Sequence, residues 1–330
     1  MLKEPGEHFE EEPQPEEQKP ERTSGLMRVV GVSRGQEKTI LKNVKTELFD
    51  KQAPYGIERE KSPEELEIIS QISSCIPEFI EKYGGDPAPI KPEHVHIIDF
   101  DKVDLSELTE EQREKIDNAK NKVGGRYRPY KQAVSIFILP EMESRLYFAQ
   151  RVAHELIHFN AFQSANYGSK DGKISSRVEG FVSTTKAEED YFKGINEAVT
   201  EELTKRFDKE YFGSISVLAD DIRERDSFSA TVRVNPGVVA SLFVTKEKST
   251  AGRPYAYREE RKKLKGMMKD IQLKNPEQFQ TREDVFNVFA EAYFTGKRLR
   301  VARLVEKTYG KGAFRKLGEE TRAIKIEDKK

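Results

Sequence analysis

Apolar residues recur every three or four positions between residues 141 and 163, and this period predicts an amphipathic α-helix. No glycine or proline interrupts the stretch, and the pair Pro140–Glu141 is typical of a helix start. A nearly continuous β-rich run within 126–139 leads directly into the helix and predicts a buried strand. The apolar stripe of the helix consists of Leu146, Ala149, Val152, Ala153, Leu156, Ile157 and Phe162.

Upstream of this helix the pattern is mixed. Ser62 followed by a proline indicates a capped helix that runs to about residue 83, where two glycines end it. The β-rich segment 94–100 predicts a strand. Residues 26–32 are compatible with a short strand, and 110–120 favour a polar helix.

Downstream, the pattern is mainly helical. Apolar residues spaced four apart within 194–207 predict a helix with one buried stripe. Residues 174–184 suit a strand or one arm of a hairpin. Further helices are predicted at about 213–225, 255–273, 281–296 and 298–308, with Asn-Pro breaks at 235–236 and 275–276.

Together these elements predict an α+β fold, with a small mixed sheet packed on the helix 141–163 and a mainly α-helical C-terminal part. Residues 1–24 have almost nothing apolar and predict a disordered acidic, proline-rich tail. The remaining divisions follow the pattern. We expect a poorly defined segment at 25–60, an α+β subdomain at 61–192, a helical subdomain at 193–322 and a charged tail at 323–330.

Composition narrows the class of protein. The 330 residues are 36% hydrophobic and 35% charged with a formal charge of −1, so no overall field attracts nucleic acid or an anionic membrane. The single cysteine, Cys75, excludes an internal disulfide framework and a cysteine-based zinc site. The N-terminus lacks a signal-peptide pattern and no run of 18 apolar residues exists, so we expect a cytoplasmic protein without a membrane span.

The helix 141–163 also carries candidate metal chemistry. His154, Glu155 and His158 spell HExxH, and positions i and i+4 share one helix face about 5–6 Å apart. Both imidazoles can therefore reach one Zn²⁺ at about 2.0–2.1 Å, while Glu155 is placed to act as a general base on a water. The longer metzincin pattern fails, because Ala161 replaces its glycine and Ser164 its third histidine.

A catalytic zinc site needs a third protein ligand. The other histidines are His8, His94 and His96, and none follows the motif. His94 and His96 would share one face of the predicted strand, where two histidines are usually solvated. Glu197 is favoured by its position on the predicted helix 194–207, and Glu201 lies one turn further on the same face, where it can support a ligating histidine. Other candidates between the two helices are Glu179, Glu188 and Glu189.

The HExxH motif followed by Asn196-Glu-Ala-Val-Thr-Glu201 resembles the gluzincins, the thermolysin-like clan of zinc metallopeptidases. The resemblance covers roughly residues 130–210, and it implies a zincin-like fold and a zinc cofactor. It implies His154, His158 and Glu197 as ligands, Glu155 as the base and Glu201 as support for a ligating histidine. The separation between His158 and Glu197 is longer than in thermolysin, so a substantial insertion must lie between the two helices.

The resemblance also implies a peptide or protein substrate that is hydrolysed by a zinc-activated water. Many gluzincins stabilise the oxyanion with a Tyr or His, and no histidine follows the motif here. Tyr255, Tyr257 and Tyr293 are the candidates, and Tyr257, at the head of a predicted helix, is our choice. The strand that precedes the HExxH helix can offer its edge to an extended peptide.

Two other interpretations remain open. In the first, the chain is an inactive zincin-like metal-binding module that serves interactions with other proteins. In the second, it is a helical scaffold in which HExxH occurs by chance. The acidic tail and the lysine-rich segment 261–265 suit an interaction module, although a lysine cluster is more often a solvated helix face.

Overall fold

The computed structural model describes most of the chain. The described residues are 26–48, 58–99, 109–110, 113, 125–128, 133–138, 144–168, 174–185, 189–235, 237–245 and 248–320. The predicted tails 1–24 and 323–330, and nearly all of the predicted helix 110–120, lie outside these residues.

Helices and strands are numbered in chain order among the described residues. The helices are α1 (Arg34–Leu48), α2 (Pro63–Glu81), α3 (Arg145–Asn160), α4 (Lys193–Tyr211), α5 (Ala219–Thr231), α6 (Arg258–Lys274), α7 (Arg282–Thr295), α8 (Arg298–Tyr309) and α9 (Ala313–Glu320). The strands are β1 (Arg28–Val30), β2 (Val95–Asp99), β3 (Gly125–Arg128), β4 (Ala133–Ile138), β5 (Gln163–Tyr167), β6 (Ile174–Glu179), β7 (Val182–Thr184), β8 (Asp190–Tyr191), β9 (Val239–Val244) and β10 (Thr250–Pro254).

These strands form three sheets. A three-stranded sheet has the order β2-β4-β3, with β2 parallel and β3 antiparallel to β4, and it packs on α3. A five-stranded sheet has the order β1-β5-β6-β7-β8, and only its β1–β5 pair is parallel. Strands β9 and β10 pair as a hairpin. With its mixed sheets and mainly helical C-terminal part, the fold confirms the predicted α+β class.

Helix α3 begins four residues later than the period predicts. Ser144 is its N-cap and accepts a hydrogen bond from the backbone N–H of Tyr147. At its C-terminus, Gln163 donates to the backbone carbonyls of His158 and Phe159, and Asn160 donates to that of Leu156. The Phe159 carbonyl is one that a helix end leaves without an intrahelical partner, and Gln163 satisfies it. Both ends of the helix that carries HExxH are therefore fixed.

Helix α2 forms for the reason that the sequence indicates. The Ser62 hydroxyl accepts from the backbone N–H of Glu65, and the Glu65 carboxylate accepts from the backbone N–H of Ser62, which completes a capping box. Its apolar face packs against α3. The C-terminal helices α6, α7 and α8 also agree closely with the predicted ranges.

Other elements differ from the predictions. The single β-rich run 126–139 contains two antiparallel strands, β3 and β4. The segment around 213–225 begins with two 3₁₀ turns, Phe212–Ser214 and Ser216–Leu218, before α5. His94 ends a 3₁₀ turn, Pro92–His94, so it does not share a strand face with His96. The pattern also missed α1, α9 and the β9–β10 hairpin.

One hydrophobic core joins the two predicted subdomains. It contains Ile69, Ile72 and Phe79 of α2 together with Leu156 of α3 and Phe207 of α4, and it continues through α6, α7 and α8. The boundary near residue 193 therefore separates elements that share one core. Among the described residues, no helix is both long and apolar enough to cross a membrane.

The insertion between the two motif helices forms β5 to β8. The chain turns from β6 to β7 at Gly180, which has a φ of +54°. A Cβ atom there would lie 2.5 Å from Asn196 Oδ1 and 2.7 Å from the Tyr293 ring. Only glycine combines this backbone conformation with so close an approach.

We expect Gly180→Ala to lower the free energy of unfolding by about 1–3 kcal/mol or more, because it adds both backbone strain and a steric overlap. Urea denaturation measures the change. Gly266→Ala is the matched control, since Gly266 lies within α6 with nothing near its missing Cβ. It should raise stability by about 1 kcal/mol. Equal stabilities of the two variants would contradict the assignment for Gly180.

Candidate metal centre

Three potential ligand atoms converge where α3 meets α4. His154 Nε2 and His158 Nε2 lie 3.2 Å apart. Glu197 Oε2 lies 3.5 Å from the first and 3.4 Å from the second. Among the described residues, these three side chains form the group that could hold a metal ion.

This triangle fits a zinc ion. A tetrahedral ion with bonds of about 2.0–2.1 Å places its ligand atoms about 3.3 Å apart. The three observed separations, 3.2, 3.4 and 3.5 Å, all lie close to that value. Two imidazole nitrogens and one carboxylate oxygen are also a donor set that catalytic zinc accepts. The residues present therefore fit the ion in both distance and chemistry.

Two helices supply these atoms. His154 and His158 are one turn apart on α3, with ring centroids 4.8 Å apart. Glu197 lies in the first turn of α4, and that turn is fixed by its neighbours. The Asn196 Oδ1 atom accepts from the backbone N–H of Phe181, which attaches α4 to the β6–β7 turn. The positions of the ligands thus depend on the fold of the insertion as well as on α3.

His154 is oriented by a carboxylate on the same helix as Glu197. Its Nδ1 donates to Glu201 Oε2 at 2.8 Å, and Glu201 Oε1 accepts from the backbone N–H of Ala256 at 2.7 Å. Burial raises the pKa of Glu201, but the hydrogen bond and charge of His154, the charge of Arg151 and the backbone N–H of Ala256 together lower it to about 2. An ionised Glu201 accepts the Nδ1 proton, so Nε2 is left free to ligate.

His158 has a different environment around Nδ1. The Tyr293 hydroxyl lies 3.2 Å from that nitrogen, and Glu179 Oε1 lies 3.9 Å from it. Burial is the largest influence on Glu179 and raises its pKa to about 7. Since Glu179 approaches the outer nitrogen rather than Nε2, it does not share the triangle of ligand atoms.

Glu155 is buried beside this triangle, and strand β3 approaches it closely. A Cβ atom at Gly125 would lie 2.8 Å from Glu155 Oε1, so the carboxylate occupies space that any other residue at position 125 would fill. Burial raises the pKa of Glu155, although the two histidines oppose the shift. A carboxylate with a raised pKa is a better general base near neutral pH than an ordinary surface glutamate.

The charges of the cluster favour a bound cation. Burial lowers the pKa of His154, but Glu197 and Glu201 outweigh it and raise the pKa to about 10. For Glu197, burial raises the pKa, whereas the two histidines lower it well below its usual value. With Glu155 ionised, three carboxylates face the single guanidinium of Arg151, whose pKa also rises despite burial. Glu179, whose pKa burial raises to about 7, adds to the negative charge of this cluster, which favours a cation.

The three tyrosine candidates have different environments. Tyr257 stacks on His154 with centroids 6.0 Å apart, and burial, the nearby carboxylates and a hydrogen bond to Glu197 raise its pKa. Tyr255 instead donates to Asp208 Oδ2 at 2.5 Å. Tyr293 contacts the outer nitrogen of His158. Of the three, only Tyr257 has a hydrogen bond to Glu197.

The other proposed ligands lie elsewhere. His94 Nδ1 accepts from the backbone N–H of Lys91, and His96 Nδ1 lies 2.8 Å from Glu58 Oε2. Glu189 Oε2 accepts from the hydroxyl of Tyr191. His8 and Glu188 lie outside the described residues.

Sequence reasoning missed the contacts of Thr200 and Gly125. Thr200 is one turn after Asn196 on the predicted helix, so helical spacing could have placed it on the buried face. Gly125 carried no signal, because a glycine in a strand does not reveal which side chain approaches it.

Comparison with known proteins gives no match: no family model fits the chain, and neither curated proteins nor solved structures are significantly similar to it. The assignment of the centre therefore depends on its geometry and on the two motifs.

We expect Glu197→Ala to lose stoichiometric zinc, because two imidazoles alone leave the ion without its anionic ligand. Elemental analysis of the purified variant measures the metal. Glu189→Ala, which alters a carboxylate bonded to Tyr191, is the matched control and should retain one zinc per chain. Full zinc retention by Glu197→Ala would instead make Glu179 the candidate ligand.

Proposed function

We propose that the protein is a zinc-dependent metallopeptidase that hydrolyses peptide bonds with Glu155 as the general base. The observation that carries this proposal is the triangle of His154, His158 and Glu197, with its ligand atoms 3.2–3.5 Å apart. Glu155 follows His154 directly on the same helix, so one rigid element holds the base and the two histidines.

Bound Zn²⁺ would supply Lewis-acid chemistry, polarising a carbonyl group and making a water more acidic. Glu155 takes a proton from the attacking water and returns it to the leaving amine. The burial of Glu155 favours both proton transfers, because it raises the pKa of the carboxylate toward neutral pH. Gly125 of β3 has no side chain, and this leaves space for the Glu155 carboxylate.

Tyr257 is the proposed hydrogen-bond donor to the oxyanion. It combines 37% exposure with a hydroxyl beside Glu197, so it borders both the solvent and the ligands. Its backbone has a φ of +51°, which is unusual for a residue other than glycine. Strained backbone of this kind concentrates at functional sites, where it holds a side chain in a working position.

The sequence favoured the strand before α3 as the docking edge, but that strand, β4, pairs with both β2 and β3. Strand β3 is therefore the proposed docking edge for the peptide. In the described part of the three-stranded sheet it has one neighbour, β4, and its Gly125 lies against Glu155. An extended peptide that pairs with β3 on the side away from β4 would therefore pass beside the base. Main-chain pairing of this kind recognises peptides in general and leaves the side-chain preference to the surrounding pockets.

We expect Glu155→Gln to retain zinc and to reduce cleavage of a peptide library by about 10²–10⁴-fold, because glutamine cannot accept the proton. Wild-type protein with and without a chelator is the control for metal dependence. Undiminished cleavage by the variant would rule out Glu155 as the base. A wild-type protein that binds zinc but cleaves no peptide would instead support the metal-binding interaction module.

We expect Tyr257→Phe to lower kcat by about 10²-fold with little change in KM or zinc content, because the hydroxyl acts mainly in the transition state. Steady-state kinetics on one cleaved peptide provide the measurement. In Tyr255→Phe the lost hydrogen bond is to Asp208, so that variant should lose stability and keep its kcat. Equal kcat values for Tyr257→Phe and the wild type would remove Tyr257 from the mechanism.

A further inference from the structure

Tyr293 lies on α7, fully buried, and its hydroxyl joins two elements of the metal centre. The oxygen is 3.2 Å from His158 Nδ1 and 2.9 Å from Thr200 Oγ1 on α4. Its ring is held in place from the other side, because the turn at Gly180 passes within van der Waals distance. The hydroxyl is thus fixed between a ligating histidine and one threonine.

The Thr200 hydroxyl defines the direction of these hydrogen bonds. It also lies 2.9 Å from the backbone carbonyl oxygen of Asn196, and a carbonyl can only accept. Thr200 has one hydroxyl proton, so it cannot donate to both the carbonyl and Tyr293. All three contacts are hydrogen bonds only if Thr200 donates to the carbonyl and accepts from Tyr293, and we adopt that direction. With the Tyr293 proton committed to Thr200, the phenolic oxygen is left to accept from His158 Nδ1.

We infer that Tyr293 and Thr200 are positioning residues that hold His158 in the tautomer protonated on Nδ1, which leaves the Nε2 lone pair directed at the metal. The inference rests on the proposed zinc centre and assigns a role to two residues outside both motifs. The hydrogen bonds run His158 → Tyr293 → Thr200 → Asn196 carbonyl, and each donor in the series has one acceptor.

Two neighbouring groups agree with this direction. Glu179 Oε1, 3.9 Å from the same nitrogen, is also an acceptor for a proton on Nδ1. The side chain of Asn196 is already engaged, since its Oδ1 accepts from the backbone N–H of Phe181. Tyr293 therefore takes the place next to His158 that Glu201 takes next to His154.

The two histidines consequently differ in their support. His154 donates to an ionised carboxylate, which makes its imidazole more electron-rich, whereas His158 donates to a neutral hydroxyl. The neutral partner fixes the ring without adding a further negative charge to a cluster that already holds several carboxylates. The geometry of the site is kept while less of the charge on the ion is neutralised.

The test is the zinc affinity of Tyr293→Phe, measured by competition with a chromophoric chelator. This variant keeps the buried ring and removes only the hydroxyl. We expect the affinity to fall about ten- to a hundredfold, the range found when a group that orients a metal-ligating histidine is lost. Tyr211→Phe, which removes a hydroxyl bonded to Lys82 in the same helical core, should bind zinc as the wild type does.

A pair of variants at position 200 tests the direction of the hydrogen bonds. Thr200→Val keeps the shape but removes the acceptor for the Tyr293 proton, so Tyr293 would donate to His158 and displace the Nδ1 proton. Zinc affinity should fall as it does for Tyr293→Phe, and Thr200→Ser should restore it. The thermal midpoint of each metal-free variant separates these effects from a general loss of stability.

The tautomer can also be observed directly. In ¹⁵N-labelled metal-free protein, NMR of the neutral histidine side chains should show His158 protonated at Nδ1, and Thr200→Val should move that proton to Nε2. If Tyr293→Phe and Thr200→Val bind zinc within twofold of the wild type, the inference is wrong and the zinc centre stands. If the wild type itself binds no zinc, the proposed function fails, and this inference fails with it.

Discussion

The arrangement depends on one electrostatic constraint, the burial of several carboxylates beside two imidazoles where α3 meets α4. Glu155, Glu197 and Glu201 lie in a space from which water is largely excluded, and the charge of Arg151 balances one of them. Burying unbalanced charge is costly, so such a cluster needs a cation or a set of protons. The raised pKa of His154, about 10, reflects that demand. A divalent ion at the triangle of ligand atoms would meet the same demand without protonating either histidine.

Support for the two histidines comes from parts of the chain far from HExxH. Ala256, just before α6, donates to Glu201, and Tyr293 of α7 contacts His158. The C-terminal helices therefore do more than complete the core, because they hold the outer nitrogens of both imidazoles. A shared core and shared hydrogen bonds make the predicted subdomains interdependent, and a substitution in α7 can alter metal binding although α7 supplies none of the three candidate ligands.

The insertion between the motif helices has a comparable role. It forms strands β5 to β8, and its turn at Gly180 contacts both Asn196 and Tyr293. The backbone of Phe181 in the same turn fixes the Asn196 side chain, which precedes the ligand Glu197. The long segment between the two motif helices thus forms a small sheet that fixes the position of Glu197, one member of the group that could hold a metal ion.

The local pattern of apolar and polar residues was sufficient to predict the helices that carry the motifs and the α+β fold class. The 3.6-residue period, the Ser62 capping box and the i, i+4 spacing of His154 and His158 are properties of neighbouring residues, so the sequence by itself determined them. It did not determine where β3 lies relative to Glu155, that Phe192 would begin α4 with a φ of +64°, or which tyrosine would meet which group. Tyr257 and Tyr293 look alike in the sequence, yet one borders Glu197 and the other His158. Only the tertiary structure decided these contacts, because they join residues that are distant in the sequence, up to 135 positions apart for Tyr293 and His158, through packing that local propensity does not encode.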